Sequence, residues 1–338
     1  MSRRGEASAR RAVSVAAISG FPFAIRADIE AVVFVLAHIT DPHLGPLPRA
    51  RFSELVSKRM LGVMNWRRGR RRRFVAGTIE ALVADMRAQS PDHIAVTGDL
   101  VNVGLPAEYH TALAFLGTLG EGHDVSVVPG NHDAYVRSTA HHALLNWGDY
   151  MRGDDRTGDV TAQEAFPYVR RRADVALVGV SSAVPTQPFM ATGRVGAGQL
   201  VRLGGMLDDL RAEGRFRVVM IHHPPCGFRS AHKRLIDAQA VRDCLARHGA
   251  ELVICGHDHR PMVEQILGRD GLIPVVEAPS AAAGPEDSHW PGGYHLYRIE
   301  RGGDAWRCTL EARGFAPGDL GIATRTTRLL TAPPVSDR

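Results

Sequence analysis

Five short clusters of Asp, Asn and His recur along the chain, each following a run rich in β-branched residues. They are Asp41-Pro42-His43, Gly98-Asp99-Leu100-Val101-Asn102, Gly130-Asn131-His132-Asp133, His222-His223-Pro224-Pro225 and Gly256-His257-Asp258-His259. Residues two apart at the end of an extended strand point to the same side, so Asp41 with His43, and His257 with His259, can each grip one ion. Mixed carboxylate, imidazole and amide donors suit Mn, Fe or Zn better than Ca or Mg. One carboxylate, Asp99 in this reading, bridges two divalent ions at roughly 3.5 to 4 Å. Two such ions bring about +4; Asp41, Asp99 and a bridging hydroxide remove about three charges, and the remaining charge of roughly +1 suits a phosphodiester monoanion. A lone D-x-H or G-D says little, and Gly130-Asn131 alone would equally suit a tight turn. The ordered set of five is what carries the reading.

Such clusters need a frame that brings distant loops to one place, and an open α/β sheet does this at the carboxyl ends of its strands. Strands are expected at Val32 to Ile39, His93 to Thr97, Val125 to Val128, Val175 to Val180, Val218 to Ile221, Leu252 to Cys255, Ile273 to Glu277, Tyr294 to Ile299 and Trp306 to Ala312. Helices are expected at Val75 to Gln89, Pro106 to Leu119, Gln199 to Ala212 and Ala238 to His248. No helix separates the last strands, so the sheet system should end antiparallel. With 338 residues, 44% of them apolar, one large domain over 31–313 is the economical organisation. Residues 1–30 read as a disordered extension: paired arginines precede an apolar stretch broken by Ser14, Ser19, Gly20 and Pro22. The Thr-, Pro- and Gly-rich residues 314–338 read as a loosely attached tail.

The motif order D-x-H, G-D-x-x-N, G-N-H-D, a histidine before a proline pair, and G-H-x-H resembles the calcineurin-like metallophosphoesterase superfamily, from Asp41 to His259. That resemblance implies an α/β fold of two packed mixed β-sheets flanked by helices, an αββα sandwich. It implies one ion on Asp41, His43, Asp99 and His259, and a second on Asp99, Asn131, His222 and His257. It further implies hydrolysis of phosphodiester bonds by a metal-bridging hydroxide, with His132 serving the leaving oxygen and Asp133 orienting His132. Asn102 and His223 are the expected substrate contacts; of the two adjacent histidines, His222 is read as the ligand because it directly follows the strand. The His-His-Pro segment, and Ala278-Pro279-Ser280 after G-H-x-H, look most like bacterial class III cyclic-nucleotide phosphodiesterases. Lipid-linked nucleotide-sugar pyrophosphatases of the UDP-diacylglucosamine type and nucleases are alternatives within the superfamily, although the former usually have another residue where His132 stands. Members that lost their ligands act as non-catalytic scaffolds, but here no ligand position is vacant.

The charge is as localised as the motifs. Six arginines fall within Arg67 to Arg73, and without them the formal net charge of +5 becomes −1. Just before them, Phe52, Val56, Met60 and Val63 recur at helical spacing among Arg51, Lys58 and Arg59, so 51–74 reads as a basic amphipathic insertion or lid. Its apolar side can cap the core, leaving the arginines solvated. Alternatively, its basic end can meet anionic lipid headgroups. Nucleic acid is the weaker partner, because no aromatic residue beyond Trp66 offers an interleaved stacking platform. Cys226, Cys244, Cys255 and Cys308 are far apart and form no C-x-x-C pair, which suits reduced thiols in a cytoplasmic protein, peripheral at most to the inner face of the membrane. Nothing in the sequence fixes an oligomeric state.

Overall fold

Alternation along the central strands shows why two sheets stack. The computed structural model describes residues 33–66, 77–139, 141–155, 164–227, 230–286, 290–303, 305–319 and 321–331. In β5 (Val175–Val180), β6 (Phe216–Ile221) and β7 (Leu252–Cys255), Val175, Leu177, Phe216, Val218, Met220, Leu252 and Ile254 face one core. The intervening Ala176, Val178, Val180, Val219, Ile221, Val253 and Cys255 face a second. Both faces of these strands are therefore buried, as parallel strands between two layers require.

These strands belong to a sheet ordered β4-β5-β6-β7-β9-β8, where β4 is Tyr168–Arg172, β8 Met262–Gly268 and β9 Gly271–Glu277. The other sheet is ordered β12-β11-β10-β1-β2-β3, with β1 at Phe34–Ile39, β2 at His93–Val96, β3 at Val125–Val127, β10 at Gly293–Gly302, β11 at Ala305–Phe315 and β12 at Ile322–Thr331. Strands β1 to β3 run parallel, β10 runs antiparallel to β1, and the final three strands form an antiparallel meander. Helices α3 (Thr78–Ala88) and α4 (Pro106–Leu119) contribute to the first core, while α6 (Ala197–Ala212) and α7 (Ala238–His248) cover the second sheet. This is the expected αββα sandwich.

Strands β4, β8 and β12, a short helix after β3 and the insertion depart from the sequence reading. The tail expected to be loose over 314–338 instead supplies the end of β11 and all of β12, paired from Ile322 to Thr331. Main-chain hydrogen bonds hold an edge strand without an apolar pattern, and threonine suits such a strand. β4 carries the arginine-rich sequence YVRRR, which hides a half-buried strand. Arg170 is buried there and donates to the carbonyls of Gly122, Val125, Asp149 and Arg152. The short helix α5 (His142–Trp147) buries Trp147, whose indole N–H donates to Tyr109 O at 3.0 Å.

The insertion forms two short helices, α1 (Phe52–Leu55) and α2 (Arg59–Asn65), and of the four expected apolar positions only Val63 turns inward. Phe52, Val56 and Met60, expected to cap the core, are exposed. Arg59, expected in solvent, is buried with its guanidinium on Val103 O at 3.2 Å and Gly104 O at 2.6 Å. Those two carbonyls lie in the loop after β2 and need a donor once the segment covers them. The extension 1–30 and the run Arg67 to Arg73 lie outside the described residues.

Candidate metal centre

The five clusters occupy the loops after β1, β2, β3, β6 and β7, and three glycines let those loops touch. A side chain on Gly98 would strike the Gly130 backbone, and one on Gly130 would strike Asp99. One on Gly256 would strike Thr40 and Asp41. Five of the expected ligands adopt left-handed backbone angles: Asp41 (φ 51°), His43 (38°), Asp99 (55°), His257 (87°) and His259 (61°). Such geometry costs about 1 to 3 kcal/mol per residue and clusters at functional sites, where surrounding structure over-determines it.

Asp41 Oδ1 lies 3.2 Å from His259 Nε2 and 3.8 Å from His43 Nε2. Asp99 Oδ2 lies 3.8 Å from His43 Nε2 and 3.5 Å from His222 Nε2. Four triads each bring their ligand atoms within 4.8 Å of one another: Asp41-His43-His259, His43-Asp99-His132, Asp41-Asp99-His222 and His222-His223-His257. Asp41, His43, Asp99 and His222 each belong to two triads, so the groups form one elongated cluster with Asp99 between its ends.

Hydrogen bonds decide which atoms remain to bind. Thr40 Oγ1 and the His257 backbone N–H donate to Asp41 Oδ2 at 2.7 and 3.0 Å, while Oδ1 is buried without a hydrogen bond. His222 directs Nδ1 to Thr97 O at 2.6 Å, leaving Nε2 for the cluster. His257 directs Nε2 to Lys233 O at 2.8 Å, so its Nδ1 keeps the lone pair. Asn131 Oδ1 and His222 Nε2 are likewise buried without hydrogen bonds. Orphaned polar atoms on three loops, around the buried carboxylates of Asp41 and Asp99, demand positive charge there. The donor set fits a pair of divalent ions.

Electrostatics agree. Burial works against the charges on Asp41 and Asp99, but the neighbouring histidines, His259 and His222 foremost, hold both carboxyls below their usual range. Burial also opposes charge on His222, yet the Asp99 and Asp41 carboxylates raise its pKa to about 10. His223 and His257 are held neutral, chiefly by burial.

The remaining site residues depart from expectation in three places. The side chain of Asp133 does not orient His132. Its carboxylate accepts from the backbone N–H groups of Asp99 (2.8 Å), Leu100 (2.9 Å), Val101 (3.1 Å) and Gly130 (2.8 Å), stapling the loops after β2 and β3 together. Burial and the Asp99 charge push its pKa up to about 7 against those donors. His132 is instead held through Nδ1 on the Asn102 carbonyl. Asn102, expected to touch substrate, therefore acts here through its backbone, while its side-chain amide donates to Leu44 O at 2.8 Å. His223, the other expected substrate contact, is fully buried with Nδ1 on Ser182 Oγ (2.8 Å) and Nε2 on Ala191 O (3.2 Å), so neither nitrogen remains for a ligand.

Two supporting groups escape sequence reading. Glu108, in the first turn of α4, accepts from the N–H groups of Asn102 (2.6 Å), Val103 (3.2 Å) and Leu105 (2.8 Å), fixing the loop that positions His132. The proline at N1 and the glutamate at N3 are a legible helix start, but the reach to Asn102 is not. Tyr135 stacks on His132 at 5.5 Å, and Lys58 Nζ lies 4.2 Å above the Tyr135 ring while donating to Thr186 Oγ1 at 3.1 Å. The insertion thus touches the His132 side of the centre.

Residues 34–261 match the calcineurin-like phosphoesterase family, and the chain belongs to it. It is a phosphoric ester hydrolase, and the family implies two divalent metal ions. A probable cyclic nucleotide phosphodiesterase of Synechococcus is 24% identical over 82% of this chain and 92% of its own length. The glycerophosphodiester phosphodiesterase GpdQ of Enterobacter lignolyticus is 27% identical over 52% of this chain, which spans 59% of that relative. Among solved structures, a dimetal phosphatase from Danio rerio superposes with a TM-score of 0.56 at 15% identity, covering 83% of this chain and 96% of its own. A purple acid phosphatase from yellow lupin does so at 0.52 and 12% identity, over 87% and 53%. These superpositions establish a shared fold. Among the described residues, no helix is long and apolar enough to cross a membrane.

Proposed function

We propose that the chain hydrolyses small phosphodiesters, cyclic nucleotides among them, using two divalent ions (Mn, Fe or Zn) held by Asp41, His43, Asp99, Asn131, His222, His257 and His259. The observation that carries this reading is Asp99 Oδ2, 3.8 Å from His43 Nε2 and 3.5 Å from His222 Nε2, within overlapping groups of ligand atoms. Two divalent ions held there would lower the pKa of a water toward neutrality and would supply the positive charge that phosphoryl transfer requires. The protein's part is to hold a donor set ready and to manage one proton. The Asn102 carbonyl fixes the Nδ1 proton of His132, so Nε2 is the nitrogen that gains and releases the catalytic proton. That Nε2 lies 3.9 Å from Asp99 Oδ2, at the edge of the ligand cluster, where it can give a proton to the departing oxygen. The phosphodiesterase names of the two relatives support a diester substrate, and one of them names cyclic nucleotides. An anionic-membrane contact through Arg67 to Arg73 belongs to the same proposal and rests on charge alone.

The test is turnover of an aryl phosphodiester, an aryl phosphomonoester and cyclic AMP with Mn, Fe and Zn in turn. Diester and cyclic AMP hydrolysis above the monoester rate is expected. Diester activity without cyclic AMP turnover removes the cyclic-nucleotide assignment alone. No diester turnover with any of the three metals overturns the reading.

A further inference from the structure

The α1–α2 segment packs inside out. Leu55 and Val63 join Leu47, Ala50, Val103, Leu105 and Tyr135 in a small cluster, and Arg59 is buried beside them. On the opposite side Phe52 is 86% exposed, Val56 75%, Met60 53% and Met64 41%. Met60 and Met64, four apart, share one face of α2, while Phe52 stands on α1 and Val56 at the break between the two helices. Beyond Thr186, which bonds Lys58, Phe189 is also 81% exposed. Large apolar side chains grouped this way in water mark an interaction surface.

Charge selects the partner. Arg49 and Arg51 are exposed at the start of the segment, and Arg67, the first of six arginines in seven residues, directly follows Trp66 at its end. A nucleic acid would satisfy the arginines and leave the apolar side chains in water. A second copy of the chain could cover them but would bring like charges together. A bilayer with anionic headgroups satisfies both: the apolar side chains enter the interfacial layer while the flanking guanidinium groups meet phosphates.

We propose that Phe52, Val56, Met60 and Met64 form a docking surface for anionic lipid bilayers, holding the His132 side of the centre at the headgroup layer through Lys58 and Tyr135. Docking itself stands on the exposed apolar side chains; only its benefit to turnover rests on the phosphodiesterase reading.

The test uses the full chain, co-sedimented with vesicles of phosphatidylcholine, with and without phosphatidylglycerol. Wild type should sediment with the anionic vesicles about tenfold more strongly than with neutral ones, and high salt should weaken this. The double variant Phe52→Ser/Val56→Ser should lose about tenfold in anionic-vesicle binding. Its aryl phosphodiester turnover should equal wild type, which also reports an intact fold. Sedimentation of the double variant equal to wild type overturns the proposal, as does wild type that binds neither vesicle. Displacement from vesicles by single-stranded DNA would make nucleic acid the partner. Self-association that the double variant abolishes, without vesicle binding, would make it a second copy. Loss of all diester turnover in wild type with vesicle binding intact would strike the proposed activity and spare the docking.

Discussion

The loops around Asp99 and the α1–α2 segment use polar and apolar groups in opposite ways. In the loops, carboxylates and imidazoles turn inward, and backbone amides fix their orientation, as four N–H groups do for Asp133. In the segment, a guanidinium turns inward onto two carbonyls while a phenylalanine, a valine and two methionines turn outward. Each arrangement leaves something unsatisfied: buried acceptors in the first, exposed apolar surface in the second. Both point to a missing partner, a cation pair in one case and an apolar, anionic layer in the other.

The strongest way to break this contrast is to remove a ligand. Asp41→Ala should abolish turnover, with a loss exceeding that of any change at His132, because Asp41 also anchors Thr40 and the His257 backbone. Steady-state kinetics with saturating Mn should show no recovery. His132→Ala should retain metal and lower kcat by about 100- to 10,000-fold, the span typical of a lost general acid. Full activity in that variant would remove the proton role of Nε2. Next in size is Arg59→Leu. It leaves Val103 and Gly104 carbonyls covered without their donor, and should cost about 2 to 3 kcal/mol in chemical unfolding while retaining metal. An unchanged unfolding midpoint would mean that the buried guanidinium is not what holds the segment.

The smallest effect is one histidine's share of the pH dependence. His93 and His295 are held neutral by burial, His295 down at about 3. The unfolded chain takes up protons on both below about pH 6.5, while the folded chain does not. Their contribution to stability is therefore full above about 6.5 and falls as pH drops toward 3, by up to about 1.4 kcal/mol per pH unit for each. Denaturation midpoints from about pH 7 to pH 5 measure it, and His295→Gln should flatten the slope.

The strand-end cluster was legible because each motif is local: two or three residues at the end of a β-branched run. Loop-to-loop support was not. Nothing in the letters at 102 says that a backbone carbonyl, and not the Asp133 side chain, holds His132. His223 and His222 are neighbours of one type, and only Ser182 and Ala191, about forty and thirty residues away, occupy the nitrogens of the former. Among the strands, β4 was hidden because Arg170 buries its charge on distant carbonyls, and β12 because an edge strand needs only a partner's backbone. In α1–α2 the apolar spacing was correctly seen, but periodicity cannot say which face turns inward when buried carbonyls compete for it.

The central claim is that Asp99 joins the two ends of one centre. It is tested most directly by metal equivalents per chain, measured by elemental analysis after chelation and refilling with Mn, in wild type and Asp99→Ala. Two equivalents in wild type, and loss at both positions in the variant, are expected. An Asp99→Ala chain that still holds two equivalents, or a fully active wild type holding fewer than two, would contradict it.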